Sequence, residues 1–319
     1  DLSVGADNKQ RWNQPEHRRH GFHNAHRLFR RTGMVRSRNV LMLDPGPALQ
    51  PPAGVRGLMA HPAFSAICCV QDNTVLFEAA ADDFALTAPH SIQSITKLHI
   101  HLIIGLLVDQ GLLSLDGLVA DYLPDIGSGY AQARVQSLLD MAVSNDFSED
   151  YADPDSDCYT EEIALGWRLP TGNAPETGLV AFTNAITGYQ PMLQRPEGLP
   201  AFSGGGCLSA RDLARFGLLF AREGRDIFGA PFASAPFLDA SLTRPAPALM
   251  PPKQWLRYSN HLMTDGRFVA HAGYGGQFLM VDTRSGTSCA FLSVLLNDAG
   301  YDDGYMAKVA EALRDFCDR

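Results

Sequence analysis

Strand-like runs stand at both ends of this chain, with helical and loop patterns between them, and that distribution constrains the fold more than any other feature. Residues 64–70 and 74–78 are β-rich runs around the polar turn Gln71-Asp72-Asn73, which reads as a hairpin. Far downstream, 268–271, 277–282 and 288–295 read as three consecutive strands. Between these two groups the pattern turns helical over 94–113, with Gly111 as a C-terminal stop, and again around 138–141 and over the amphipathic 210–220. A last helix is expected over 306–316. The distribution predicts an antiparallel sheet built from distant segments, covered by terminal helices, with a helical region inserted. There is no internal repeat.

The bulk numbers exclude several classes. At 319 residues, 45% hydrophobic and 19% charged, the chain can bury a large core and has the composition of an ordinary globular protein. Its longest apolar stretch, 98–108, is broken by His99 and His101 and falls short of the ~20 residues of a membrane span. It reads as a buried helix, and no membrane partner is expected. The first residues, Asp1-Leu2-Ser3-Val4-Gly5, do not resemble a signal peptide, and the expected location is cytoplasmic, with the natural N-terminus left open. Six cysteines without a C-x-x-C pair read as buried free thiols, and adjacent Cys68 and Cys69 should point to opposite faces of a strand.

Charge is unevenly spread. Residues 11–38 hold eight arginines against Glu16 alone, while the rest of the chain carries 18 basic and 34 acidic residues. A basic arm on an acidic body reads as an arm that docks on its own chain, and nucleic acid is not an expected partner. His17, His20, His23 and His26 recur every third residue, but no carboxylate or cysteine stands at matching spacing, so no metal or other cofactor is expected. The acidic run Asp153-Pro154-Asp155-Ser156-Asp157 imitates the start of a calcium loop. Cys158 then stands where that loop needs glycine and Ala164 where it needs glutamate.

The chemistry-bearing element is Ser94-Ile95-Thr96-Lys97. Serine needs a base within hydrogen-bond reach to act as a nucleophile at neutral pH. On the first turn of a helix, positions i and i+3 share a face, which sets Lys97 beside Ser94 near the positive end of the helix dipole. A desolvated lysine loses its proton more readily and can serve as that base. S-x-x-K is common by chance, but this one follows a hairpin and leads into a strongly apolar helix. It is also the signature of β-lactamases and penicillin-binding proteins.

Several blocks extend this into a resemblance that runs nearly end to end. They are Trp12-Asn-Gln-Pro-Glu-His-Arg-Arg19 with Gly21-Phe22, then Ser94 to Lys97, then Leu138-Leu-Asp-Met141 and the loop Asp146-Phe-Ser-Glu-Asp-Tyr-Ala-Asp-Pro154. They continue with Gly204-Gly-Gly, Ala210-Arg-Asp-Leu-Ala-Arg-Phe-Gly217 and His271-Ala-Gly-Tyr-Gly-Gly-Gln277. In this order the chain resembles the penicillin-recognising serine hydrolases, within them the branch of 6-aminohexanoate-oligomer (nylon-oligomer) hydrolases and related esterases. The resemblance implies an α+β, β-lactamase/transpeptidase-like fold: a central antiparallel sheet flanked by helices, with a shortened helical subdomain. It divides the chain into an arm (1–50), a sheet domain (51–93 with 203–319) and a helical subdomain carrying the active-site loop (94–202).

It also implies roles. Ser94 would form an acyl-enzyme with Lys97 as base, and the backbone N–H groups of Ser94 and Tyr274 would form the oxyanion hole, Tyr274 following the motif glycine Gly273. His271 would stand where related enzymes carry K-T-G, and Tyr151 would close over the substrate and assist proton transfer. The pattern breaks at the Y-x-N element. Phe182-Thr183-Asn184 lacks the phenol, Tyr189-Gln190-Pro191 lacks the asparagine, and only 35 residues separate Trp167 from Ser203. Tyr258-Ser259-Asn260 matches the letters but lies far along the chain, where it reads as a sheet residue. Three outcomes stay open: Tyr151 or Tyr258 moves the proton, the pocket suits an ester or thioester whose leaving group needs less protonation, or catalysis is lost.

The expected function is a serine hydrolase cleaving a small amide or ester, with a homodimer as a possible assembly. The competing reading is a non-catalytic binding or scaffold protein on the same fold. β-Lactamase and D-amino-acid peptidase or acyltransferase activities are lesser alternatives.

Overall fold

The structure is a computed structural model that describes residues 13–28, 39–47, 49–151, 153–164, 180–181, 193–194 and 200–319. The strands are β1 Asp44–Pro45, β2 Phe64–Gln71, β3 Thr74–Ala80, β4 His90–Ser91, β5 Val180–Ala181, β6 Leu193–Gln194, β7 Cys207–Leu208, β8 Arg257–Ser259, β9 Leu262–Thr264, β10 Phe268–Gly273, β11 Gln277–Asp282 and β12 Thr287–Ser293. Eight of them form one sheet in the order β1-β3-β2-β12-β11-β10-β9-β8. All its pairings are antiparallel except the two-residue edge contact of β1 with β3.

The sheet closes between distant segments. β2 of the early hairpin lies against β12, with Ile67 opposite Phe291 and Cys69 opposite Cys289. The hairpin turns at Asp72, whose φ of 55° lies in the left-handed region that aspartate tolerates. Because both sheet faces are covered, β2, β11 and β12 are almost continuously buried and read as apolar runs rather than alternations.

The two faces make two cores. On one, α2 (Ala53–Met59) and the terminal helix α7 (Asp303–Cys317) cover Cys69, Phe278, Met280 and Phe291. On the other, α3 (Leu98–Asp109) and α5 (Ala210–Ala221) cover Cys68, Leu279, Val281 and Ala290. Cys68 and Cys69 thus point to opposite faces, as strand alternation requires. Buried phenylalanines such as Phe216 and Phe220 each contribute about 1.5–3 kcal/mol by removal from water. Gly217 lets α5 lie close on the sheet, since a Cβ there would come 2.1 Å from Ser288 Oγ. Helix starts are capped by side chains: Ser209 accepts from the Asp212 N–H at 3.1 Å and Asp302 from that of Tyr305 at 2.7 Å.

Helix α1 (Pro15–Leu28) lies along β4 through the buried Phe22, Ala25 and Leu28. Arg19 pairs with Asp83, each contact at 2.6 Å. The remaining longer helices are α4 (Asp157–Ala164) and α6 (Ala235–Thr243), with short turns at 119–122, 128–131 and 135–139. Among the described residues, no helix is long and apolar enough to cross a membrane.

Candidate active site

The Ser94–Lys97 motif lies between β4 and α3, in a 3-10 helix over Gln93–Lys97 rather than the first α-turn expected from sequence. The tighter winding has a consequence, because side chains three apart in a 3-10 helix eclipse one another. Lys97 Nζ donates to Ser94 Oγ at 2.9 Å and to the Ser203 carbonyl at 2.7 Å. The turn is held rigidly. Ile95 and Thr96 are fully buried, Thr96 Oγ1 donates to the Gln93 carbonyl at 2.6 Å, and it accepts from the Gly206 N–H at 3.0 Å. Gly206 must be small here, since a Cβ would lie 2.8 Å from Thr96 Oγ1. Gln93, next to Ser94, has a φ of 50°, a strained left-handed conformation for a side-chain-bearing residue.

Ser94 and Lys97 open into a cleft of about 700 Å³. One wall is acidic and aromatic: Glu149, Asp150 and Tyr151 from the loop before α4, with Tyr159, Glu161 and Glu162 from α4 itself. The rest of the lining includes Asn13, Gln14, Pro15 and Arg18, with Tyr274, Asp298 and Ala299. Desolvation lowers the Lys97 pKa to about 8, against the opposing pull of Glu161 and Glu149. Its proton is therefore far easier to remove than that of a solvated lysine. Tyr151 is half-exposed at the rim, and its phenol is pushed up to about 12, chiefly by partial removal from water and then by Glu149.

Gly273 explains how the strand end reaches the turn that carries Ser94. A Cβ there would meet the Ile92 carbonyl oxygen at 2.4 Å, so only glycine lets β10 pack against the turn that carries Ser94. The chain then turns through Gly275 and Gly276, both at positive φ, leaving Tyr274 on the cleft wall.

His271, which is buried, and Tyr258, which is half-buried, are not among the residues that line the cleft. Tyr258 sits in β8, with its hydroxyl 3.1 Å from His271 Nε2 and 3.3 Å from His261 Nδ1. His271 Nδ1 lies 2.7 Å from the Ala272 carbonyl, so it carries the proton and Nε2 accepts from the Tyr258 hydroxyl. Burial, and secondarily the Lys97 charge, lower the His271 pKa to about 3 and keep the ring neutral. His271 and His261 both feel the Lys97 charge, but none of Tyr258, His261 and His271 lines the cleft.

Phe182 to Asn184 and Tyr189 to Pro191 lie outside the described residues. Tyr159, the Ser203 carbonyl and the lining residues Asn13, Gln14, Pro15 and Arg18 carry no role in the sequence reading. The N-terminal block offered a signal without pointing to the cleft, and a backbone carbonyl leaves none. Among the described residues, no three His, Cys, Asp or Glu side chains are grouped to hold a metal.

No protein-family model matches the chain. A 111-residue segment, 34% of the chain, is 32% identical to the 6-aminohexanoate-dimer hydrolase of Paenarthrobacter ureafaciens and spans 28% of that enzyme. Among solved structures, a Bacillus anthracis protein provisionally described as a 6-aminohexanoate-dimer hydrolase superposes with a TM-score of 0.75 at 15% identity, covering 98% of this chain and 96% of the other. A penicillin-binding-protein homologue from Caulobacter crescentus gives 0.56 at 16% identity, covering 85% and 98%. A D-stereospecific amidohydrolase from Streptomyces gives 0.54 at 14% identity, covering 83% and 97%. With Ser94 and Lys97 at the head of the apolar helix, beside the antiparallel sheet, the chain has the fold of the serine β-lactamase and penicillin-binding-protein superfamily.

Proposed function

We propose that the protein is a serine hydrolase that cleaves a small amide or ester through an acyl-Ser94 intermediate. The observation that carries this reading is the 2.9 Å contact between Lys97 Nζ and Ser94 Oγ, at a lysine whose pKa is drawn down to about 8. A half-buried lysine that has no ion pair among the described residues is expensive to keep charged. Its placement against a serine hydroxyl at the base of an open cleft is what a general base requires.

In the proposed mechanism neutral Lys97 accepts the Ser94 proton as Oγ attacks the substrate carbonyl carbon. The C=O π electrons move onto oxygen, and the N–H groups of Ser94 and Tyr274 hold the oxyanion. Collapse of the tetrahedral intermediate breaks the bond to the leaving amine or alcohol, which takes the proton back from Lys97, directly or through the Tyr151 hydroxyl. Water, deprotonated by Lys97, then releases the acid and regenerates Ser94. The 6-aminohexanoate-dimer hydrolase relative favours an amide among the candidate substrates.

Hydrolysis of p-nitrophenyl butyrate separates this reading from a binding protein on the same fold. The expected result is turnover by the wild type that Ser94→Ala abolishes and Tyr151→Phe reduces. Equal rates for wild type and Ser94→Ala would contradict the proposal.

A further inference from the structure

We propose that Arg18 is a positioning residue for the oxyanion side of the cleft, acting on Tyr274 through segment 295–300. The proposal rests on the reading of Ser94 as nucleophile. Arg18 is 1% exposed and, among the described residues, forms no ion pair with a carboxylate. Its guanidinium is instead satisfied by oxygens: Nε donates to the Asn13 carbonyl at 3.0 Å and to Asn13 Oδ1 at 3.3 Å. Nη1 donates to the carbonyls of Leu295 at 2.8 Å and Asn297 at 2.6 Å, and Nη2 to that of Asp298 at 3.2 Å. A buried cation is costly unless fully hydrogen-bonded, and a planar fork of donors fixes several carbonyls at once.

Those carbonyls belong to the segment that buttresses the Tyr274 turn. The Leu295 N–H donates to the Gly275 carbonyl at 2.8 Å, and the Gly275 N–H donates to the Gly300 carbonyl at 3.0 Å. A Cβ on Gly300 would fall 2.1 Å from Tyr274 Oη, and the Arg18 guanidinium carbon lies 5.9 Å from the Tyr274 ring centre. Docking of α1 is separately secured by Phe22 and by the Arg19–Asp83 pair. The Arg18 network therefore fixes the 295–300 segment, and with it the backbone that presents the Tyr274 N–H.

The test compares wild type, Arg18→Gln and Gly300→Ala with p-nitrophenyl butyrate and with phenylboronic acid. The tetrahedral boronate adduct on Ser94 places a negatively charged B–OH where the oxyanion forms. The expected result for Arg18→Gln is a tenfold or greater fall in kcat, a KM within threefold of wild type, and boronate affinity falling in parallel with kcat. Gly300→Ala, which crowds both Cζ and Oη of Tyr274, should lower kcat at least fivefold, and clearly less when introduced into Tyr274→Ala, which lacks both atoms. A merely structural role would lower the melting temperature without this kcat-against-KM split. Wild-type kcat and boronate affinity in Arg18→Gln, or a Gly300→Ala loss unchanged in the Tyr274→Ala background, would overturn the proposal alone. A wild type that neither turns over the ester nor binds boronate at Ser94 would overturn it together with the proposed function.

Discussion

If Lys97 is the base, the pH dependence of turnover follows from its surroundings. With a pKa of about 8, roughly a tenth of Lys97 is neutral at pH 7 and roughly a hundredth at pH 6. A lysine at its ordinary 10.5 would be neutral only about 0.03% of the time at pH 7, so desolvation supplies about 300-fold more active base. kcat/KM for a p-nitrophenyl ester should therefore climb about tenfold per pH unit below pH 8 and level off above it. Glu161 and Glu149 oppose the shift by favouring the charged lysine. Removing the larger opposing charge, in Glu161→Gln, should move the acid limb to lower pH and raise activity at pH 6–7. Stopped-flow kcat/KM between pH 5.5 and 9.5, corrected for spontaneous ester hydrolysis, measures both. A limb that stays put in Glu161→Gln or moves upward, or a profile governed by a group near pH 6.5, would refute Lys97 as the base.

Three further outcomes follow from the same geometry. Lys97→Met should abolish turnover yet stabilise the fold at pH 7 by up to about 3 kcal/mol, because the native lysine binds its proton more weakly than the unfolded one. That gain is full below pH 8 and fades as pH rises towards 10.5, which urea melts at pH 7 and pH 10 would show as converging midpoints. Gly273→Ala forces a methyl against the Ile92 carbonyl and should lose most activity and measurable stability, whereas Gly57→Ala, at an open position, should lose neither. Phe22→Ala should cost about 3–5 kcal/mol by urea unfolding, since the ring is fully buried between α1 and the Tyr274 turn. A loss below 1 kcal/mol would show that α1 does not depend on this contact.

Much of the sheet was legible because its strands are buried on both faces. β2, β11 and β12 read as apolar runs, and the pairing of β2 with β12 follows from strands at both chain ends covered by helices. The Ser94–Lys97 pair was legible for a different reason, since its spacing suits either helical winding. What the sequence could not give was that the turn winds as a 3-10 helix, because this depends on Thr96 meeting Gly206 and on Gln93 adopting a left-handed φ. Long-range placement was equally hidden. Arg18 reads as one of many arginines in a basic arm until its five oxygen partners and their position beside Tyr274 are seen. The pairing of Tyr258 with His271 depends on how β8 to β10 come together, which no local pattern specifies.

The central claim, that Ser94 becomes acylated, is tested most directly by mass spectrometry of the protein after reaction with a fluorophosphonate. The account predicts a single stoichiometric adduct mapping to Ser94, absent in Ser94→Ala and much slowed in Lys97→Met. An unmodified wild type, or an adduct that persists in Ser94→Ala, would contradict it.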